Sequence, residues 1–266
     1  MQTLKISFIG GGNMAEALIA GLLQSKHDPQ NIHVSEPRQA RRSELSEQYG
    51  IKTTAENSEA ARGSDILVLA VKPQQMRDAV RSLAGSLGQE ATLVSIAAGV
   101  RTSSLAEWLG DAAHIVRVMP NTPALVSEGM SVLFSKAGAT YRQRAEYVLK
   151  SCGEVAWVDH EDQLHAVTAV SGSGPAYFFL LAEMMQAAGV SLGLPKALAE
   201  KLATQTALGA GRMLCESGRS AEALRHQVTS PGGTTQAALD VMYEMGLPDA
   251  VRKGVVAASK RSAELG

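Results

Sequence analysis

A glycine-rich segment near the start of the chain has the residues and spacing that bind the phosphates of a nucleotide. It reads Gly10-Gly11-Gly12-Asn13-Met14-Ala15 and matches the pattern G-x-G-x-x-G/A. In that pattern Gly10 permits a tight turn, Gly12 lets the backbone approach a pyrophosphate, and Ala15 keeps helix and strand close. The first N–H groups of the following helix would point at the phosphates. The segment therefore predicts a dinucleotide-binding loop, with a purely structural glycine turn as the alternative.

The sequence around this loop predicts the elements that such a site needs. Leu4, Ile6 and Phe8 alternate with polar residues, which is a strand pattern, and residues 17–23 form an apolar run compatible with a helix. A second strand, at residues 32–35, ends about 20 positions beyond the loop, where a dinucleotide site contacts the ribose. The loop is therefore expected at a turn from strand to helix.

The residues at the end of the second strand bear on the choice of nucleotide. Ser35 and Arg38 stand where the 2′-phosphate of NADP would lie. Glu36, between them, could instead accept a hydrogen bond from the free ribose hydroxyl of NAD. NADPH is the favoured cofactor on this pattern, and NADH stays open.

Strand and helix patterns alternate through the first 160 residues. Strand patterns recur at residues 65–71, 91–99, 114–119, 129–135 and 153–159, separated by segments of helical composition such as 74–87 and 139–151. Strands that alternate with helices are typical of a parallel, doubly wound α/β sheet, the Rossmann type. We therefore predict a dinucleotide-binding domain over residues 1–160.

The rest of the chain has a different composition, and residues 161–266 are predicted to form an all-helical domain. Segments rich in Ala, Leu, Met, Glu and Lys, broken at Gly and Pro, predict helices at residues 176–189, 195–217, 220–228, 234–245 and 248–264. Many positions in these helices are small or apolar. This composition favours close helix packing, including packing between subunits.

Residues that follow three of the predicted strands suit a groove for a flat ring. The stretches are Ala70-Val71-Lys72-Pro73, Ala97-Ala98-Gly99-Val100 and Met119-Pro120-Asn121-Thr122-Pro123. Nucleotide sites in such sheets lie at the carboxyl ends of the strands, although each stretch alone could be a simple turn or helix start. Lys72 could form a Schiff base, contact a phosphate or carboxylate, or lie in solvent, and a positioning role is favoured.

Two glycine-rich stretches interrupt the helical half, at residues 171–177 and 229–235. In the second, backbone N–H groups and the hydroxyls of Ser230 and Thr235 could converge on a small anion such as a carboxylate. The alternative is that a threonine caps the next helix and Gly232-Gly233 forms a turn. For the first stretch the alternative is helix packing with Pro175 at the first helical position.

Composition and residue pairing disfavour several other classes of function. The chain has 266 residues and a formal net charge of −1, so there is no basic field that would attract nucleic acid. Cys152 and Cys215 lack C-x-x-C spacing and are expected to be buried, and the six histidines form no metal-binding pair. Glu161-Asp162 is interpreted as a solvated turn. With no signal segment and no apolar run of about 18 residues, we expect a cytoplasmic protein without membrane contact.

Six motifs in order along the chain carry a resemblance to the pyrroline-5-carboxylate reductase family. They are FIGGGNMAEALIAGLL (8–23), LAVKPQQM (69–76), SIAAGV (95–100), RVMPNTPALV (117–126), VSGSGPAY (170–177) and TSPGGTT (229–235). The resemblance spans essentially the whole chain. It implies a Rossmann domain followed by a helical domain that interlocks with its partner to form a homodimer, often assembled into larger rings such as decamers. It also implies reduction of Δ1-pyrroline-5-carboxylate to L-proline, the last step of proline biosynthesis, by NADPH or NADH.

The resemblance also implies roles for individual residues. Contacts to the cofactor are implied at Gly10, Gly12, Asn13, Met14, Ser35, Arg38, Asn57, Ala70, Val71, Lys72, Pro73, Ala98 and Gly99. Contacts to the substrate are implied at Ser173, Gly174, Pro175, Ser230, Gly232, Gly233, Thr234 and Thr235. Thr235 and Lys72 are the expected catalytic positions, with no metal ion.

The expected chemistry needs few catalytic groups. A protonated cyclic imine is strongly electrophilic, so hydride transfer mainly requires the reactants to be held close together. Thr235 is expected to hydrogen-bond the ring nitrogen as it becomes an amine. Two alternatives stay open: a related dehydrogenase of a small acid such as a 3-hydroxy acid, and a non-enzymatic nucleotide sensor. The 229–235 loop argues against the sensor, which has no need of a carboxylate pocket.

Overall fold

A computed structural model of the chain describes residues 1, 3–83, 85–110 and 114–265. Its contacts group into two compact units: Met1–Gly172 together with the segment from Ala258 onward, and Ser173–Ala257. The break in the contacts lies beyond the predicted domain boundary at residue 160, and that boundary stays a prediction.

Within the described residues of the first unit, eight strands form one sheet. They are β1 (Ile6–Ile9), β2 (Ile32–Ser35), β3 (Lys52–Thr54), β4 (Ile66–Leu69), β5 (Thr92–Ser95), β6 (His114–Met119), β7 (Gly129–Phe134) and β8 (Gly153–Trp157), in the spatial order β3-β2-β1-β4-β5-β6-β7-β8. In the parallel register, Ile9 pairs with Ser35 on one side and with Leu69 on the other. The neighbouring strands β2, β1 and β4 therefore end level, and the residues after them meet at one edge of the sheet.

The pairing of β6 with β7 is antiparallel, with Arg117 opposite Phe134 and Met119 opposite Val132. The prediction of parallel strands is right for β1–β6 and for β7 with β8, and wrong for this one pair. A parallel crossover needs a dozen or more residues, but this connection is short and contains only a 3₁₀ turn, Thr122–Val126. The carboxyl end of β6 consequently lies beside the amino end of β7.

Helices cover both faces of this sheet. They are α1 (Asn13–Gln24), α2 (Gln39–Tyr49), α3 (Asn57–Ala61), α4 (Pro73–Arg81), α5 (Thr102–Leu109), α6 (Ala139–Leu149) and α7 (Gln163–Val167). On α1, Ala15, Leu18, Ile19 and Leu22 form a buried stripe that packs in the same core as Phe8. Truncating a residue such as Leu18 to Ala is expected to cost about 2–5 kcal/mol. The predicted helical segment 74–87 is helical only to Arg81, and its Ala84 lies outside the described residues.

The second unit is helical in its described residues, as predicted. Its helices are α8 (Gly174–Ser191), α9 (Lys196–Glu216), α10 (Ala221–Gln227), α11 (Thr234–Glu244) and most of α12 (Leu247–Glu264). α8 packs against α9, where a Cβ on Gly189 would lie 3.2 Å from the Cβ of Ala199. Large apolar side chains on these helices are nevertheless exposed, among them Phe179 at 67% and Leu192 at 84%.

One helical stretch, Gln163–Ser191, is long and apolar enough by length and composition to cross a membrane. It joins α7 to α8 through a π-helical turn, Thr168–Gly172. Only 22% of its most apolar window is buried. The exposed apolar surface of the helical unit therefore needs a covering that this single chain does not supply.

Candidate functional site

A groove of about 820 Å³ lies at the carboxyl ends of β1, β2 and β4. It is lined by Gly10, Gly12, Ser35, Glu36, Pro37, Arg38, Asn57, Ala70, Val71, Lys72, Gln74, Gln75, Asp78, Ala79 and Ser82. Its volume lies within the range of ligand pockets, and its place at the strand ends is where doubly wound sheets bind nucleotides.

The glycine loop at one wall of the groove has the shape that a pyrophosphate requires. Gly10 has a φ of 97°, and a Cβ there would lie 2.8 Å from the carbonyl oxygen of Ala70, so only glycine fits. Gly12 caps α1 with no side-chain hydrogen bond, and a Cβ there would meet nothing within 4 Å. The loop therefore leaves open space in front of a helix N-terminus, where N–H groups attract phosphate.

Gly11, in the middle of this loop, is held from both sides. Its N–H donates to Oε2 of Glu36 at 3.1 Å, and its carbonyl oxygen accepts from Nε of Arg41 at 2.8 Å. Arg41 is itself held by ion pairs to Glu16 and Glu44. Burial opposes ionisation of Glu36, but hydrogen bonds from Arg38 and Gly11 outweigh it and lower the pKa of this carboxyl. Contacts within the protein thus hold the loop from both sides.

A chain of hydrogen bonds runs along the end of the groove nearest β2. Ser35 Oγ donates to Oδ1 of Asn57 at 2.6 Å, and Nδ2 of Asn57 donates to Oγ of Ser82 at 2.9 Å. Arg38 Nε donates to Oε1 of Glu36 at 2.8 Å, while 69% of its side chain is exposed. These polar groups match the hydroxyls and phosphate of an adenosine ribose.

The structure brings together eight of the residues predicted to bind the cofactor, and all eight line the groove: Gly10, Gly12, Ser35, Arg38, Asn57, Ala70, Val71 and Lys72. The other five predicted residues are not among its lining: Asn13, Met14, Pro73, Ala98 and Gly99. Sequence reasoning missed the wall formed by α4 and the residue after it. Gln74, Asp78 and Ser82 recur at i, i+4 spacing, and this helical face was the signal that could have found the wall.

Glu161 is largely buried, which corrects the prediction that it lies in a solvated turn. Its carboxylate accepts hydrogen bonds from N and Oγ1 of Thr102, both at 2.8 Å, and forms an ion pair with Arg117 at 2.8 Å. The side chains of Arg117 and Glu161 are only 5% and 14% exposed. Burial opposes ionisation, yet these hydrogen bonds lower the pKa of Glu161. Glu161 therefore links Thr102, at the start of α5, to Arg117 in β6.

Asn121 lies two residues after the end of β6 and caps the 3₁₀ turn Thr122–Val126. Its side chain joins two other segments of the first unit. Its Oδ1 accepts from the backbone N–H of Met130 at 2.8 Å. Its Nδ2 donates to the carbonyl oxygen and to Oγ of Ser171, at 3.3 and 3.2 Å. The third predicted strand-end stretch therefore contacts the π-helical turn.

The 229–235 loop, within the helical unit, ends at the N-terminus of α11. Gly232 has a φ of 71°, and the N–H of Gly233 donates to the carbonyl oxygen of Ser230 at 3.0 Å. A Cβ on Gly233 would lie 2.5 Å from Oγ of Ser230, so a side chain there would displace this hydroxyl. Gly233, not a threonine, is the N-cap, and it supplies no side-chain acceptor. The first N–H groups of α11 are therefore available to an anion.

The other predicted substrate residues begin α8. Ser173 is its N-cap, and Gly174 and Pro175 follow as its first residues. Among the described residues, no cluster of three or more His, Cys, Asp or Glu side chains has the arrangement of a metal site. Cys152 is buried as predicted, but Cys215 is exposed, which corrects the expectation that both are buried.

Comparisons with known proteins agree along the whole chain. Two family models match: one described as pyrroline-5-carboxylate reductase dimerisation, over residues 161–265, and one described as NADP oxidoreductase coenzyme F420-dependent, over residues 5–99. A pyrroline-5-carboxylate reductase of Pseudomonas aeruginosa is 45% identical over 267 residues, which cover 100% of this chain and 98% of that protein.

Solved structures give the same result. The structure of a pyrroline-5-carboxylate reductase from Coxiella burnetii matches with a TM-score of 0.94 at 41% identity, covering 99% of each chain. The structure of a Plasmodium falciparum pyrroline carboxylate reductase with NADP bound matches with a TM-score of 0.88 at 31% identity, covering 100% of this chain and 99% of that one.

Proposed function

Because the chain belongs to the pyrroline-5-carboxylate reductase family, we propose that it reduces Δ1-pyrroline-5-carboxylate to L-proline, the last step of proline biosynthesis. It is an NAD(P)H-dependent oxidoreductase that acts on a C=N bond. The observation that carries this conclusion is a full-length identity of 45% to a relative of that name. The glycine loop, with open space at Gly12, adds independent support from the geometry of this chain.

NADPH is the cofactor. The lining of the groove favours it because Arg38 stands beside the ribose end, whereas Glu36 is already occupied by hydrogen bonds from Gly11 and Arg38. Gly10 and Gly12 would hold the pyrophosphate, and Ser35 with Asn57 the adenosine ribose. Asn13, Met14, Pro73, Ala98 and Gly99 stay in the proposal as further contacts, carried by the family's motifs.

The substrate carboxylate is assigned to the 229–235 loop. The uncapped N–H groups at the start of α11 and the hydroxyl of Ser230 can receive one carboxylate without a cationic side chain. Gly232 and Gly233 give the loop its turn, and Thr234 begins the helix. Ser173, Gly174 and Pro175 are assigned to the frame of the same pocket.

Thr235 is assigned to the reacting nitrogen. When bound, the reduced nicotinamide supplies a hydride to the imine carbon, and the ring nitrogen retains its proton as it becomes an amine. The hydroxyl of Thr235, in the first turn of α11, accepts a hydrogen bond from this nitrogen and so holds the ring in one orientation. Lys72, an exposed residue of the groove that caps α4, has a positioning role toward the cofactor.

The helical unit is assigned to a homodimer interface. The match to the dimerisation family model covers this region, and its helices expose large apolar side chains such as Phe178 and Phe179. A second copy of the same chain would bury this surface, including the apolar stretch Gln163–Ser191, without any membrane. Assembly of dimers into a decamer and a cytoplasmic location complete the proposal, with no nucleic-acid partner.

The test is the absorbance of the reduced nicotinamide with purified protein, pyrroline-5-carboxylate, and NADPH or NADH in parallel. We expect oxidation of NADPH that depends on the imine and yields proline. A 3-hydroxy acid with NADP⁺ is the control for the related dehydrogenases. Nucleotide binding without turnover of the imine would contradict the proposal and would favour a sensor.

A further inference from the structure

The side-chain amide of Asn121 has only one orientation that its neighbours allow. The backbone N–H of Met130 can only donate, and the carbonyl oxygen of Ser171 can only accept. Oδ1 therefore faces Met130 and Nδ2 faces Ser171, at the distances of 2.8 and 3.3 Å found here. Asn121 thus links the end of β6, the start of β7 and the π-helical turn.

The turn that Asn121 contacts also lies against the end of β6. A Cβ on Gly172 would meet Cε of Met119, the last residue of β6. A π-helical turn departs from regular α-helical hydrogen bonding and is frequent at functional sites. Here Thr168–Gly172 leads directly into Ser173, the N-cap of α8.

We propose that Asn121 is a positioning residue for substrate binding: by holding Ser171, it fixes where the chain enters the pocket frame at residues 173–175. This inference rests on the proposed function, which assigns those residues to the substrate. Asn121 is not among the residues that line the nucleotide groove, so its effect should fall on the imine and not on NADPH.

Two variants of Asn121 distinguish the role of its amide oxygen from that of its amide nitrogen. Asn121→Ala removes the hydrogen bonds to Met130 and Ser171, whereas Asn121→Asp keeps an acceptor for Met130 and loses the donor to Ser171. The matched control is Ser135→Ala, which loses hydrogen bonds to Ile115 O and from Ala137 N at the opposite end of β6. The control should lower Tm and leave both KM values unchanged.

Two readouts test the proposal. In both Asn121 variants we expect KM for pyrroline-5-carboxylate to rise about tenfold, which corresponds to a loss of about 1.4 kcal/mol in binding free energy. KM for NADPH should change less than about twofold. Without any ligand, amide hydrogen exchange in residues 168–177 should accelerate in these variants and not in Ser135→Ala.

Equal rises in both KM values, or a loss of Tm without faster exchange in residues 168–177, would overturn the role of Asn121. A normal KM for the imine in Asn121→Asp would do the same, because that variant lacks the donor to Ser171. If the wild-type protein does not reduce the imine at all, the proposed function fails, and the exchange experiment still decides whether Asn121 holds the turn.

Discussion

Glu36 Oε2 accepts a hydrogen bond from the backbone N–H of Gly11 at 3.1 Å, so the residue after β2 is joined directly to the loop after β1. Its Oε1 accepts from the backbone N–H and Nε of Arg38, at 3.2 and 2.8 Å. Both carboxylate oxygens are thus engaged by the protein. This arrangement supports the proposal that Arg38, and not Glu36, contacts the substituent at the 2′ position of a nucleotide.

Arg38→Ala should therefore weaken the use of NADPH selectively. We expect KM for NADPH to rise roughly five- to tenfold, because the variant lacks the exposed cation that we assign to the 2′-phosphate. KM for NADH, which has no phosphate there, should stay within about twofold. Steady-state kinetics with both nucleotides measure the ratio, and an equal rise for both would show that Arg38 acts only through Glu36.

Gly12→Ala should weaken nucleotide binding without unfolding the protein. The added Cβ meets no protein atom within 4 Å and Gly12 has an ordinary φ of −75°, but the methyl group would occupy space assigned to the pyrophosphate. We expect Kd for NADPH, measured by calorimetry, to rise at least about tenfold, with Tm nearly unchanged.

Gly10→Ala gives the contrasting result. Its φ of 97° and the 2.8 Å approach to Ala70 O make any side chain strained, so we expect a loss of stability of about 1–3 kcal/mol. Thermal unfolding of the ligand-free protein measures it. If Gly10→Ala keeps the wild-type Tm, the tight turn is not needed for the fold.

Thr235→Ala should lower kcat/KM for the imine and leave Kd for NADPH unchanged. Loss of one hydrogen bond to a charged nitrogen is expected to cost about 1.5–3 kcal/mol, or roughly 10- to 150-fold. Thr235→Ser, which keeps the hydroxyl, should recover most of the activity. Ser220→Ala removes the N-cap of α10 in the same unit and is a control for stability alone. Unchanged turnover in Thr235→Ala would remove this residue from the mechanism.

Glu161→Gln should destabilise the protein in a pH-dependent way. The pKa of Glu161 is lowered in the folded protein, so its stabilisation is present above the ordinary value near 4.3 and is lost as pH falls through the folded value. At pH 7 we expect a loss of about 3–5 kcal/mol, since Arg117 would be left buried without its charged partner. Urea unfolding at several pH values should show the difference from wild type shrinking below pH ~4. A constant difference would contradict the role of its charge.

The sequence predicted those elements whose hydrophobic patterns were long or ended at clear breaks. It did not predict the direction of a strand or contacts between residues far apart in the sequence. β2 and β6 were predicted with their observed ends because apolar runs there stop at clear breaks. The strand β3 and the helix α3 are too short for a periodic pattern. A hydrophobic run carries no direction, so the reversal of β7 was invisible.

The candidate site was predictable in the same uneven way. Glycine spacing identified the loop at Gly10 because the backbone itself makes the site. Two adjacent acidic residues predict exposure to solvent. The burial of Glu161 was not predicted because its partner, Arg117, is far away in the sequence. The hydrogen bonds of Asn121 likewise join segments that only the folded chain brings together.

The exposed apolar side chains of the helical unit affect how long a newly synthesised chain persists in a cell. A newly made chain presents Phe179 and Leu192 to water until it meets a second copy, and in that interval it is open to aggregation and proteolysis. Pairing is faster at higher protein concentration and stabilises the folded state by mass action. At low expression a larger fraction of the chains is therefore unpaired and open to degradation. The amount of folded protein would then fall more steeply than the rate of synthesis.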